Sequence, residues 1–476
     1  MDKAAVGNDG LAEIELMQRA GARVWCEISE RWPGLSTLTV FAGSGNNGGD
    51  AFVVANLAAQ NGIDVQFFSK GDLTKQSATS AYHRDIWQQS GGAIEDWQGQ
   101  AIDGDVIVDG LLGIGLTREL NQDWQALIAA INQSKAPKVA IDIPSGLNAQ
   151  TGIAKPCAVE AEVTVTFIGR KVGQVLADGP DYCGELIYND LGISSATRLS
   201  QVPALKVIDE TNLMLPPKRK QNSHKYSYGH VLVIGGDKGM VGAASLAAQA
   251  ALRTGAGMVT VLVHPECVHS LSATPELMVQ SWQQLEDKLA SASVVVVGPG
   301  LGQGDQARAC LQQLVDFDKP VVVDASALTA EFVKSLSGKE VVITPHPGEA
   351  AKLLAVNSQE IQSDRLQASV QLSQQFSAVS VLKGSGSIIR NTDDSVPAIN
   401  LHGNPGMASA GMGDVLAGMI GALLGQHLST FDAAKTAVYL HARCAEYFAL
   451  DQDETGLIAS DIVELIPKLV KPLRDV

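Results

Sequence analysis

His402-Gly403-Asn404-Pro405-Gly406-Met407-Ala408-Ser409-Ala410-Gly411-Met412-Gly413-Asp414 runs without a break into Val415-Leu416-Ala417-Gly418-Met419-Ile420-Gly421-Ala422-Leu423-Leu424. The second half of this stretch is apolar at nearly every position and small at Ala417, Gly418 and Gly421, which predicts a helix buried on all sides. The glycines ahead of it free the backbone to aim successive N–H groups at one point, and the helix start adds the positive end of its dipole. Together they make a nest for an anion. Asp414, an acid in the first turn, would stand beside that anion, where a general base for phosphoryl transfer to a hydroxyl is needed. The plainer alternative is an aspartate that only caps a buried helix.

Working outward, the second half of the chain alternates apolar strand-like runs with helical stretches, each run ending in glycine, proline or a polar residue. His230–Ile234 leads into Gly235-Gly236 and an alanine-rich helix over Val241–Leu252. Val294–Val297 opens into Gly298-Pro299-Gly300-Leu301-Gly302. Val321–Val323, Val341–Ile343 and Val379–Leu382 repeat the scheme, ending in Asp324, in Thr344-Pro345-His346-Pro347-Gly348-Glu349 and in Lys383-Gly384-Ser385-Gly386-Ser387. Lys383 at a strand end can hold a nucleotide phosphate as a point charge. His346 and Glu349 can contact a polar substrate, although a histidine between prolines is as readily a turn residue.

The first half carries the same pattern. Leu16–Ala22 belongs to an amphipathic N-terminal helix. Leu38–Ala42 reads as a buried strand ending in Gly43-Ser44-Gly45-Asn46-Asn47-Gly48-Gly49-Asp50, with a helix expected from Ala51 to Gln60. Strand, glycine-rich turn and helix is the phosphate-binding arrangement of a doubly wound sheet. It is neither the dinucleotide fingerprint nor a Walker A loop, because the spacing and the lysine are missing. Asp109, before Gly110–Gly115, and Asp142, before Ile143-Pro144-Ser145, end two further strands. At the carboxyl ends of a parallel sheet, Asn47, Asp109 and Ser145 would converge as hard oxygen ligands, which suit K⁺ or Mg²⁺ better than zinc. Three unrelated strand-end caps are the alternative. The fold class expected is α/β, two doubly wound α/β domains divided near 207/208, joined through a basic, proline-led segment around Lys218–Lys225 that is either a solvated linker or an aid to phosphate binding.

With 476 residues, a net charge of −16 and a mean hydropathy of +0.09, the chain is long enough for two domains and too acidic to bind nucleic acid non-specifically. Its six cysteines show no zinc spacing or C-x-x-C pair, no apolar run reaches the ~20 residues of a membrane span, and the N-terminus lacks a secretory pattern. The expectation is a cytoplasmic protein with reduced thiols, with no nucleic-acid or membrane partner.

Asn46–Asp50, Asp109-Gly110-Leu111-Leu112-Gly113 and Asp142–Gly146 resemble the NAD(P)HX epimerase domain, which is Rossmann-like. Gly298–Gly302, Thr344–Glu349, Leu382-Lys383-Gly384 and Gly411–Asp414 resemble the ADP-dependent NAD(P)HX dehydratase, which is ribokinase-like. In this order along nearly the whole chain, they resemble the bifunctional NAD(P)H-hydrate repair family. The resemblance implies that residues 1–207 interconvert the R and S epimers of hydrated NADH or NADPH. Substrate would be held by Asn46, Asn47, Gly48, Gly49 and Asp50, by Gly113, Ile114, Gly115, Leu116, Thr117, Arg118 and Glu119, and by Asp142, which would also be catalytic. K⁺ would be bound by Asn47, Asp109 and Ser145.

For residues 208–476 it implies dehydration of the S epimer, in which ADP phosphorylates the C6 hydroxyl, AMP is released and phosphate then leaves. Ala243, Gly302, His346 and Asp414 would contact the hydrated cofactor, with Asp414 catalytic. Lys383, Gly384, Ser385, Gly386, Ser387 and Gly413 would hold the nucleotide, with Mg²⁺ assisting. A homo-oligomeric assembly is expected. Two departures from the family pattern stand out. Met412 replaces the usual alanine or threonine, and Asp324-Ala325-Ser326 lacks a second acid. The alternatives are a small-molecule hydroxyl kinase of the ribokinase-like fold whose product keeps its phosphate, and a non-catalytic nucleotide-binding protein.

Overall fold

The structure, a computed structural model, describes residues 2–116, 118–271 and 274–473. The chain divides into two compact units, Met1–Pro203 and Ala204–Val476. The division falls slightly ahead of the expected 207/208 for a simple reason. The short strand Lys206–Val207 pairs in parallel with Ala398–Asn400 and so belongs to the second sheet.

In the first unit the strands are β1 Thr37–Ala42, β2 Asp64–Ser69, β3 Glu95–Asp96, β4 Val106–Gly110, β5 Lys138–Ile141, β6 Val163–Phe167 and β7 Glu185–Asn189. They form a seven-stranded sheet in the order 3-2-1-4-5-6-7, with every pair parallel. A parallel sheet is covered on both faces, so its central strands are continuously apolar, and β4 is buried at every position. The helices Glu13–Arg31 and Asn46–Gln60 pack together on one face. Their close approach depends on Gly21, where a Cβ would lie 2.5 Å from Val53 Cβ. The strand order reverses between β1 and β4, which opens a crevice at their carboxyl ends.

The second unit adds β8 Lys206–Val207, β9 His230–Ile234, β10 Met258–Val263, β11 Met278–Ser281, β12 Val294–Val297, β13 Val321–Val323, β14 Val341–Ile343, β15 Val379–Leu382, β16 Ser387–Arg390 and β17 Ala398–Asn400. Their order is 11-10-9-12-13-14-15-16-17-8, parallel except where β16 runs against β15 and β17. The apolar helix expected at 415–424 runs from Met412 to Gly425 and is buried along almost its whole length. It crosses the helix Val241–Thr254 so closely that a Cβ on Gly418 would sit 1.9 Å from the Ala247 carbonyl oxygen. The helix Thr430–Phe448 covers its other side. Among the described residues, no helix is long and apolar enough to cross a membrane.

Candidate active sites

In the first unit the glycine-rich stretch is not a loop before a helix. The helix starts at Asn46, five residues ahead of the expected Ala51, so Asn46 to Asp50 are its first turn. Gly48 makes this possible, because a Cβ there would come within 2.0 Å of the Gly43 carbonyl oxygen. A Cβ on Gly49 would lie 2.6 Å from the end of the Met17 side chain, and one on Gly43 1.8 Å from the Leu111 carbonyl oxygen. The turn from β1 is thereby pressed against the turn from β4, with the helix N-terminus directed at the crevice.

Asn47, Asp109 and Ser145 do meet there. The Ser145 hydroxyl donates to Asp109 Oδ1 at 2.5 Å, and its main-chain N–H donates to Oδ2 at 2.7 Å. Leu111 N–H adds a third bond to Asp109 at 3.2 Å. Asn47 Nδ2 donates to the Leu112 carbonyl at 3.0 Å, and Leu112 N–H donates to Ser145 Oγ at 2.8 Å. Asp109 is fully buried, and burial pushes its pKa up to about 6 against the pull of these hydrogen bonds. Among the described residues no cationic side chain is paired with it. Hard oxygens around a buried, uncompensated carboxylate fit a weakly hydrated cation such as K⁺.

Asp142 follows β5 in a left-handed conformation, φ 62°, that costs a non-glycine residue roughly 1–2 kcal/mol. Its Oδ1 accepts from the Lys171 ammonium, from Thr166 Oγ1 at 3.2 Å and from Phe167 N–H at 3.2 Å. Gln174 Nε2 holds its main-chain carbonyl at 2.6 Å. All three donors to the Asp142 side chain converge on Oδ1. Asn46 is exposed and its Oδ1 accepts from Ser77 and Ser80. In the loop after β4, Gly113 packs near Asn47, while Ile114, Gly115, Arg118 and Glu119 are exposed and Leu116 is buried. Thr117 lies outside the described residues.

In the second unit Lys383, at the end of β15, reaches Asp324 Oδ1 at 2.9 Å and Glu349 Oε2 at 3.8 Å. Asp324 ends β13, is 1% exposed and accepts from the Thr344 hydroxyl at 2.7 Å. The helix carrying Asp414 begins directly against this pair, since a Cβ on Gly413 would lie 3.0 Å from Lys383 Nζ. Gly411 at φ 90° turns the chain into that helix. Burial, then the Asp324 charge, push the Asp414 carboxyl up to about 7, with Lys383 pulling the other way and Glu349 adding to the rise. Burial works against the charge of Lys383, but the surrounding carboxylates outweigh it and its pKa is raised. His346 caps the helix Pro347–Leu354, its Nδ1 accepting from Gly348 N–H at 3.0 Å, while Glu349 reaches back to His346 N–H at 2.8 Å.

Ala243 lies in the first turn of the helix after β9 and Gly302 in the loop after β12, the two strands between which the order reverses. A Cβ on Gly300 would touch Ala243, and one on Gly302 would meet Asp237. Ser326, where a second acid was missed, instead ties loops together: it accepts from Gly302 N–H and donates to the Gly298 carbonyl, both at 3.1 Å. In the turn Lys383–Ser387, Ser387 Oγ donates to the Gly384 carbonyl at 3.0 Å and accepts from its N–H at 3.3 Å; Ser385 is exposed.

Lys171 and Arg365 went unread in the sequence, and Asp324 was read as a strand end without a role of its own. Lys171 and Arg365 lie outside any glycine motif, and Arg365 sits within an otherwise ordinary amphipathic helix, Arg365–Phe376. Asp324 had a signal, an acid at a strand end, but only the fold sets it against Lys383.

Residues 231–468 match the family described as NAD(P)H-hydrate dehydratase, and residues 13–173 match the family described as YjeF-related protein N-terminus. The chain is 41% identical to the bifunctional NAD(P)H-hydrate repair enzyme Nnr of Coxiella burnetii, over 99% of this chain and 98% of that protein. It is 39% identical to the enzyme of the same name from Escherichia coli, over 97% and 90%. A crystal structure of the ADP/ATP-dependent NAD(P)H-hydrate dehydratase from Bacillus subtilis, co-crystallised with ATP/Mg²⁺, is similar over 56% of this chain and 99% of its own, with 30% identity and a TM-score of 0.51. These matches favour coenzyme repair over the hydroxyl-kinase alternative. The chain belongs to the bifunctional NAD(P)H-hydrate repair enzymes, which epimerise hydrated NAD(P)H and dehydrate its S epimer at the expense of ADP.

Proposed function

We propose that the two activities are carried by Asp142 in the first unit and Asp414 in the second. For epimerisation, Asp142 Oδ2 takes the proton of the C6 hydroxyl while Oδ1 stays clamped by Lys171. The C6–N1 bond then opens to an aldehyde, its electron pair moving to N1, which takes a proton. Closure on the other face of the carbonyl, with the proton moves reversed, gives the second epimer. The first turn Asn46–Asp50 and the loop Gly113–Glu119 hold the rest of the substrate. K⁺ would be held by Asn47, Asp109 and Ser145, supplying positive charge beside the buried Asp109 carboxylate.

For dehydration, Asp414 accepts the C6 hydroxyl proton as that oxygen attacks the terminal phosphorus of ADP and AMP leaves. The N1 lone pair then expels phosphate, and loss of the C5 proton restores the reduced ring. Lys383 and the Gly413 N–H face the negative charge on the oxygens of the transferring phosphoryl group. Ala243, Gly302 and His346 hold the hydrated cofactor; Lys383 to Ser387 hold the nucleotide. Asp324, Glu349 and Asp414 outnumber Lys383, so a nucleotide carrying Mg²⁺ suits this site better than a bare diphosphate; Asp324 and Glu349 are the acids available to that ion. The observation that carries this reading is the half-buried Asp414 carboxyl, its pKa raised to about 7, at a helix start that abuts Lys383.

The test is an Asp142→Asn chain given both hydrated epimers and ADP. It is expected to return only the S share as reduced cofactor, while the parent chain returns the whole pool. Recovery of the whole pool at the parent rate would overturn the role of Asp142.

A further inference from the structure

Arg365 opens the helix Arg365–Phe376, and its side chain lies beneath the loop that follows β15. It is only 2% exposed. Nη2 donates to the carbonyls of Leu382 at 3.3 Å, Lys383 at 3.2 Å and Gly386 at 3.4 Å, and Nη1 donates to Gln362 Oε1 at 3.0 Å. Gly384, at φ 141°, rests directly on the guanidinium: a Cβ there would come within 2.8 and 2.9 Å of its two terminal nitrogens.

Two features of this arrangement are unusual. The first is charge. An isolated buried cation is strongly disfavoured, and proteins normally pair it with an acid. Lys383 is paired in this way, with Asp324 and Glu349. Among the described residues no carboxylate contacts the Arg365 guanidinium. Its partners are neutral carbonyls, and its Nε has none. The second is orientation. In a planar trans peptide the C=O and N–H point in opposite directions. By drawing the Lys383 carbonyl inward, Arg365 turns the Gly384 N–H the other way, onto the face where the Ser387 hydroxyl meets it. One terminal nitrogen of the planar fork gathers the three carbonyls of the turn while the other is anchored on Gln362, which fixes the orientation of the group.

We propose that Arg365 is a positioning and specificity residue for the phosphate chain of the nucleoside diphosphate: it shapes the Leu382–Ser387 turn from below, and its missing counter-charge is the bound phosphate on the other side. This rests on the reading of Lys383 to Ser387 as the nucleotide loop. Arg365 does not touch the ligand. It acts through the amides it orients and through a field that the buried setting screens poorly.

The experiment measures ADP and adenosine affinities for the full chain and its Arg365→Met, Arg365→Lys and Lys383→Met variants, by calorimetry, with weak adenosine binding read by displacement. Epimerisation by the first unit and the thermal midpoint report folding. For Arg365→Met the expected result is a loss of ADP affinity of about tenfold or more, the scale of one charge-assisted contact, with adenosine affinity unchanged within about twofold. Arg365→Lys, which keeps the charge and loses the fork, is expected to show a smaller loss with the same selectivity. If Arg365→Met does not fold, this variant decides. Equal weakening of ADP and adenosine would overturn the proposal, because it marks a collapsed loop and no specificity for phosphate. So would unchanged ADP affinity in Arg365→Met alongside a loss in Lys383→Met. Unchanged ADP affinity in both variants would instead overturn the nucleotide-loop reading, and the proposal with it.

Discussion

Burial and the Asp324 charge hold the Asp414 carboxyl near 7, so the proposed base is about half ionised at neutral pH. Only the ionised form accepts a proton. Dehydration is therefore predicted to rise about tenfold per pH unit below about pH 7 and to level off above it. Asp324→Asn removes the neighbouring charge that raises Asp414, so the acid limb of the pH–rate profile is expected to move to lower pH. A limb that stays in place would contradict the electrostatic assignment. Asp109 gives a second pH test, on stability. Its folded pKa of about 6 lies above the ordinary 3.8, so the folded state binds this proton more tightly than the unfolded state does. The resulting stabilisation is present below the ordinary value, and up to roughly 3 kcal/mol of it is lost as pH rises through about 6. A cation beside the ionised carboxylate offsets that loss. Replacing choline by K⁺ is expected to raise the thermal midpoint more at about pH 8 than at about pH 5; equal shifts at both would sink the K⁺ assignment. Asp109 and Lys383 were legible because each stands beside glycines at a strand end, where ligand chemistry concentrates, and Asp414 because it stands beside glycines at the start of an apolar helix. Lys171 and Arg365 were not, because the partner of each lies across the fold and neither belongs to a local motif.

At the scale of elements, the glycines do two different jobs. Gly48, Gly43 and Gly418 permit contacts with backbone that a Cβ would block, whereas Gly411 permits a left-handed turn. Gly418→Val is predicted to destabilise the second unit by about 3 kcal/mol or more, because its side chain has only the Ala247 carbonyl to displace. Thermal unfolding, with epimerisation as a control on the first unit, checks this. The strands and the apolar helix at 412–425 were readable from runs of Val, Ile and Ala. The start of the helix at Asn46 was misplaced because Gly-Gly argues against helix by propensity, while close packing against Gly43 and Met17 requires those glycines in its first turn.

On the scale of the whole molecule, two sheets each reverse strand order once along their parallel portion; the first gathers its polar residues at the carboxyl ends beside that reversal, the second at the carboxyl ends of β13, β14 and β15, further along the sheet. Alternating βα spacing announced this architecture, but the sheet orders, and the pairing of Lys206–Val207 with the second sheet, depend on contacts distant in sequence. Because the chain carries both activities, each serves as an internal control for damage to the other. The most direct measurement follows the return of reduced cofactor from hydrated NADH epimers plus ADP in an Asp414→Asn chain, with epimer exchange monitored alongside. The expected result is a fall in the rate of return of roughly 10³-fold, the scale of a lost general base, with epimer exchange intact. Return at the parent rate would contradict the account.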